Sequence, residues 1–151
     1  MERTKKDQRY QRLYEQIGEL LKKTGNTDAR MATIIAVLHH KMEYFFWTGF
    51  YCLDQGELIV KTYQGPLACQ VLEKDKGVCW AGINSKSTVV VPDVHLFPGH
   101  IACDSRSNSE IVIPLFNEAG AVYGVLDVDS VEKSSFDDID ARWLEKIVKL
   151  I

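Results

Sequence analysis

The sequence predicts an α+β domain, a central antiparallel sheet of about six strands with helices packed on it. Three observations predict this. Apolar side chains recur at helical spacing at both ends of the chain. Two pairs of aromatic or β-branched runs, each pair joined by a short turn, lie between them. The middle, residues 65 to 110, is broken by Gly and Pro into loops that carry most of the reactive side chains. At 151 residues the chain is expected to form one domain spanning 1–151.

The first helix is expected over 8–23, where Tyr10, Leu13, Tyr14, Ile17, Leu20 and Leu21 share a face. Thr24-Gly25-Asn26 should stop it, with Gly25 near C′. Asp28 is the candidate N-cap of a second helix reaching about His40. Together these occupy 8–40. Residues 44–53 read as a strand, Asp54-Gln55-Gly56 as a hairpin turn and 57–63 as its return. A short strand at 70–73, a one- or two-turn helix at 77–83 and a strand at 88–91 follow. Residues 111–116 and 122–128 form a second hairpin around Asn117-Glu118-Ala119-Gly120. A last helix begins at Phe136-Asp137-Asp138, its acidic start matching the helix dipole. The helices are expected on one face of the sheet.

Composition excludes several classes of function. Hydrophobic residues are 46% and charged residues 26%, ordinary globular values, and the net charge is −3. That argues against nucleic acid or an anionic membrane as the main partner. The basic residues Arg3, Lys5, Lys6, Arg9 and Arg12 alternate with Glu2, Asp7 and Glu15, as on a solvated helix face. No apolar signal segment or membrane span is visible. The four cysteines then read as free or redox-active thiols of a cytoplasmic protein rather than a disulfide framework.

The stretch 92–110 concentrates chemistry: His95, His100, Cys103, the polar run Asp104 to Ser109, and Glu110. Cys69, Cys79 and Cys103 each sit beside a Gly-containing loop, which suggests a shared site. A nucleophilic thiol needs its pKa lowered. Backbone N–H groups of 104–109 or a protonated His100 could do this, and a second thiol could resolve a sulfenic acid. Cys52, between Tyr51 and Leu53, reads as a buried small hydrophobe. His95, His100 and Cys103 lack the spacing of a structural zinc site, and no metal is expected.

Asp127 and Asp129, two apart on a strand, share a face. Glu110, at the entry to the neighbouring strand, could join them. Three carboxylates around one pocket would bind an ammonium group, or hold a proton on one of them for acid catalysis. A solvent-facing strand edge would show the same spacing.

These stretches together resemble the free methionine-R-sulfoxide reductases, a family of single GAF domains. The matching residues are Trp47-Thr48-Gly49-Phe50-Tyr51, Gly65-Pro66-Leu67-Ala68-Cys69, Gly77-Val78-Cys79, Pro92 to His95, Phe97 to Asp104, Ser107 to Pro114, and Gly124 to Ser130 with Phe136. The resemblance covers most of the chain. The cysteine trio with His100-Ile101-Ala102-Cys103-Asp104 is its specific part, whereas Gly124-Val125-Leu126-Asp127 is common to many GAF domains.

The resemblance implies reduction of free L-methionine-(R)-S-oxide to methionine. Cys103 would attack the sulfoxide sulfur, Cys69 would resolve the sulfenic acid as a disulfide, and Cys79 would assist recognition or recycling. Thioredoxin, and ultimately NADPH, would supply electrons without a bound cofactor. Glu110, Asp127 and Asp129 would hold the amino group and the sulfoxide oxygen, while Trp47 and Tyr51 would wall the methyl end. It also implies a homodimer, in which the amino-terminal helices could make the contact. A ligand-sensing GAF module and a thiol redox sensor are the alternatives. Three features depart from the pattern: Trp80 stands where a glycine is expected, Arg106 where a small residue is usual, and Cys52 is extra to the trio.

Overall fold

The computed structural model describes residues 1–100 and 103–151. The Ile101-Ala102 part of the cysteine motif lies outside the described residues. The chain runs α1 (Arg3–Leu20), α2 (Thr27–Lys41), β1 (Trp47–Asp54), β2 (Glu57–Gln64), β3 (Val71–Leu72), α3 (Gly77–Ser85), β4 (Val89–Val91), β5 (Ser109–Phe116), β6 (Val122–Ser130) and α4 (Asp138–Val148). Short 3-10 turns follow α1 at Leu21–Lys23 and β4 at Val94–Leu96. The strands form one six-stranded sheet in the order β3-β2-β1-β6-β5-β4, and every described pairing is antiparallel.

Strand alternation sends side chains to opposite faces, and this separates two cores. Ile111, Ile113, Leu115, Leu126, Val128 and Phe50 pack with α1, α2 and α4 on one face. Val112, Val125, Trp47 and Tyr51 pack with Val78, Trp80 and Ile83 of α3 on the other. The expectation that helices cover one face is thus corrected. The short α3 covers the second, and it comes close because Gly82 has no side chain: a Cβ there would lie 2.7 Å from Val112 Cγ1.

Element ends also differ from the local signals. Glu2 caps α1 by accepting from the backbone N–H groups of Thr4 and Lys5, so the helix starts before residue 8. A 3-10 turn ends it at Thr24, which is extended, and Gly25 is not left-handed. Asn26, not Asp28, caps α2, accepting from Ala29 N at 3.0 Å. Asp28 lies in the first turn, where its charge complements the dipole.

Asp140 ties the two ends of the chain together. It is fully buried in the first turn of α4. It accepts from Tyr10 Oη at 2.6 Å, Lys6 Nζ at 2.7 Å and Tyr44 Oη, and it closes a capping box with Asp137. Removing it would take the nearest acceptor from a buried ammonium and the acceptor from the Tyr10 and Tyr44 hydroxyls. Asp140→Ala should therefore cost about 3–5 kcal/mol, which is roughly 6–20 °C in Tm at about 2–4 °C per kcal/mol for a chain of this size. A thermal melt showing less than about 2 °C of loss would mean the network is idle.

Candidate active site

β1, β5 and β6 place the site by register. Glu110 pairs across the ladder with Asp129, and Val112 with Asp127. Trp47 stands opposite Asp129, Gly49 opposite Asp127 and Tyr51 opposite Val125. Two-residue periodicity therefore points Glu110, Asp127, Asp129, Trp47 and Tyr51 to the α3 face. Gly49 leaves space in this row, since a Cβ would lie 2.5 Å from the Trp47 ring and from Tyr63 Cβ. Trp47 is thereby stacked between Tyr51, at 5.7 Å, and Tyr63, at 5.3 Å.

A pocket of about 60 Å³ opens over these residues. Trp47, Tyr51, Cys79, Cys103, Glu110, Asp127 and Asp129 all line it, as do Leu67, Ala68, Lys76, His100, Asp104 and Ser107. Cys69 is not on the wall, but it is joined to Cys103 in a disulfide with Cα atoms 5.6 Å apart. Tyr51 Oη donates to the Cys69 carbonyl at 3.0 Å and so ties the bridge to the aromatic wall. Gly65 begins this loop with φ 121°, and a Cβ there would meet the Phe46 carbonyl at 2.7 Å, so the chain reverses only with glycine.

The carboxylates are electrostatically strained. Glu110 is 6% exposed and Asp127 5%, while Asp129 is half-buried. Burial raises the Glu110 carboxyl well above its ordinary range, and Asp127 and Asp129 raise it further. Burial also raises Asp129 well above its range, with Asp127 and Asp104 adding to it. For Asp127 burial again dominates, opposed by hydrogen bonds from Glu110 and Cys79. Burial and mutual repulsion disfavour ionisation of all three together, and the Glu110–Asp127 hydrogen bond raises the Glu110 carboxyl while lowering that of Asp127. Cys79, 4% exposed in the first turn of α3, is pushed well up by burial and then by the same carboxylates, so it stays a thiol.

Two buried side-chain polar atoms among the described residues have no partner: Trp47 Nε1, a donor, and Asp127 Oδ1, an acceptor. Both residues line this pocket. Buried polar groups are rarely left unpaired, so such atoms point to a ligand.

The loop 92–110 is held from outside. Asn108 N donates to the Ser130 carbonyl at 2.8 Å, its Nδ2 donates to the Val131 carbonyl at 2.8 Å, and its Oδ1 lies 3.0 Å from His95 Nε2. The backbone N–H groups of Arg106, Ser107 and Asn108 are all used within the protein. Burial and then His95 depress the His100 pKa, which disfavours a histidinium beside Cys103. Arg106 clasps Asp104, whose carboxyl its side-chain hydrogen bonds pull down to about 2. Its guanidinium lies 4.9 Å from the Phe46 ring centre. Trp80 is buried and does not line the pocket, but its Nε1 donates at 3.3 Å to the carbonyl of Leu72, which does. Cys52 is only half-buried, near Lys61 and Asp28.

Sequence reasoning missed Lys76. It is a cation on the wall, just before α3 and ion-paired with Glu73 at 2.9 Å. Its position beside the Gly77-Val78-Cys79 turn was the available signal.

Residues 11–151 match the GAF domain family. The chain is 46% identical over 147 residues to GAF domain-containing protein A of Dictyostelium discoideum, covering 97% of this chain and 92% of that one. It is 38% identical over 120 residues to the free methionine-R-sulfoxide reductase of Escherichia coli, covering 80% of this chain and 72% of that one. The chain belongs to the free methionine-R-sulfoxide reductase family of GAF domains. The free methionine-R-sulfoxide reductase of Neisseria meningitidis, solved in complex with its substrate, superposes with a TM-score of 0.89 at 40% identity, covering 93% of this chain and 84% of that one. Free methionine-R-sulfoxide reductases are oxidoreductases, and the family frame accounts for a pocket that combines thiols with carboxylates. Among the described residues no helix is long and apolar enough to cross a membrane.

Proposed function

We propose that this protein reduces free L-methionine-(R)-S-oxide to methionine through Cys103. The observation that supports this most is the Cys69–Cys103 bridge at the rim of a pocket lined by Glu110, Asp127 and Asp129. The Cys103 thiolate attacks the sulfoxide sulfur as the oxygen is protonated, and Glu110, whose carboxyl is raised well above its ordinary range, supplies that proton. Methionine leaves and Cys103 carries the oxygen as a sulfenic acid. The Cys69 thiol attacks that sulfur, and water leaves as the disulfide closes. The dithiol of thioredoxin then reduces the bridge by thiol exchange, with NADPH as the ultimate donor in the cytoplasm. Cys79 stays protonated and supports recognition by its hydrogen bond to Asp127.

Specificity follows from the same groups. Asp127 Oδ1 and Asp129 receive the free ammonium, whose charge a peptide nitrogen lacks. The stacked Trp47 and Tyr51 rings enclose the methyl group. Lys76 at the wall takes the substrate carboxylate. In an assay with thioredoxin, its reductase and NADPH, the R epimer should be turned over and the S epimer should give little rate. Tight binding of the R epimer without NADPH loss would instead mark a sensor. Equal rates on the two epimers would remove the stereochemical assignment.

A further inference from the structure

Cys79, Glu110 and Asp127 come from three elements, α3, β5 and β6, yet each can offer a ligand atom within 4.8 Å of the others. All three are buried and all line the pocket. The grouping differs from the His95, His100 and Cys103 set weighed from the sequence. An independent observation points the same way. Asp127 is 5% exposed, and its Oδ1 has no hydrogen-bond partner.

We propose that Cys79, Glu110 and Asp127 form a binding site for a thiophilic divalent cation of the Zn²⁺ type, and that its occupancy blocks the pocket. One thiolate with two carboxylates mixes soft and hard donors, which suits Zn²⁺ and is a poor match for Mg²⁺ or Ca²⁺. In a tetrahedral site with bonds of about 2.0–2.3 Å the ligand atoms sit roughly 3.3–3.8 Å apart, so small side-chain rotations would close the set. The fourth position faces the pocket and would hold water. On binding, the Cys79 thiol proton and the proton held by Glu110 leave to solvent, and two negative charges at the metal replace two neutral groups. The dication relieves the mutual repulsion that the carboxylates otherwise impose on one another. No electron is transferred, so the ion acts as an inhibitor and leaves the thiol chemistry of Cys103 unused.

The consequence for activity rests on the proposed reductase reading, because Glu110 and Asp127 serve both sites, but the binding itself does not. Co²⁺ is the probe, added to protein with the Cys69–Cys103 bridge intact so that Cys52 and Cys79 are the available thiols. A near-ultraviolet sulfur-to-cobalt band with tetrahedral visible absorption is expected, removed by stoichiometric Zn²⁺. The band should survive Cys52→Ser and vanish in Cys79→Ser. Asp127→Asn, which keeps the side-chain shape, should weaken Co²⁺ binding by at least the 10–100-fold typical of losing a supporting group. Absence of the band in wild type at millimolar Co²⁺, or its loss in Cys52→Ser with retention in Cys79→Ser, would overturn the site. In turnover assays Zn²⁺ should inhibit competitively with the sulfoxide and chelation should restore the rate. Inhibition that sulfoxide does not relieve would overturn the blocking role. Protein that shows the cobalt band but turns over no sulfoxide would leave the cation site standing and remove the reductase reading.

Discussion

Cys103→Ser should abolish turnover, lowering kcat by about 10⁴-fold or more, as removal of an activated nucleophile does. A serine hydroxyl is far less acidic and less nucleophilic than a thiol, and an oxygen cannot form the disulfide that closes the cycle. Cys103 is at the surface and bridged to Cys69, so the substitution removes little packing and Tm of the reduced protein should hold. Cys69→Ser separates attack from resolution. It should still release methionine from the first sulfoxide but leave Cys103 as a sulfenic acid, trapped by a dimedone-type nucleophile and detected by mass. A Cys103→Ser protein retaining more than about a hundredth of wild-type kcat would place the attack on another thiol, with Cys79 the next on the pocket wall.

Glu110→Gln should lower kcat by about 10²–10⁴-fold, the usual worth of a positioned acid. Burial, and then Asp127 and Asp129, raise the Glu110 carboxyl well above its ordinary range. The acid form is the active one, so kcat should be fully present below that raised value and fall as pH climbs through it. The variant should lose this alkaline limb. Stability has the same sign. Ionising Glu110 in the fold costs free energy, so wild-type stability falls as pH rises through the raised value, whereas the isosteric amide does not titrate. Tm of Glu110→Gln should therefore match or exceed wild type at alkaline pH. A variant that keeps its rate and its alkaline limb would move the acid to Asp129, whose carboxyl is also raised by burial.

The parts of the site that follow from short-range pattern were legible. Asp127 and Asp129 two apart on a strand had to share a face, and β6 presents them with Val125 to the pocket side. The two hairpins and their turns followed from alternation and from Gly56 and Gly120, both left-handed with φ 81°. The resemblance carried the rest of the site, including the Cys69–Cys103 pairing, which spacing alone left open.

What stayed hidden depends on partners far away in the chain. Asp140 reads as one more acid at a helix start, and only Tyr10 and Lys6, about 130 residues earlier, make it the buried joint between α1 and α4. Asn108 reads as one polar residue in a loop, yet it staples that loop to the end of β6. Asn26 competes with Asp28 to cap α2, and composition does not say which side chain reaches the orphan N–H. The second face of the sheet was missed because α3 is too short to show a clear apolar stripe, and the absent side chain of Gly82 is what seats it.

The most direct measurement is a single turnover without reductant. Fully reduced protein is mixed with excess free methionine-R-sulfoxide, methionine is quantified, and the disulfides are mapped by peptide mass. The expected result is one methionine per chain, with loss of two thiols and a Cys69–Cys103 bridge. No methionine, or methionine accompanied by a bridge through Cys79 with Cys69 left free, would contradict the account.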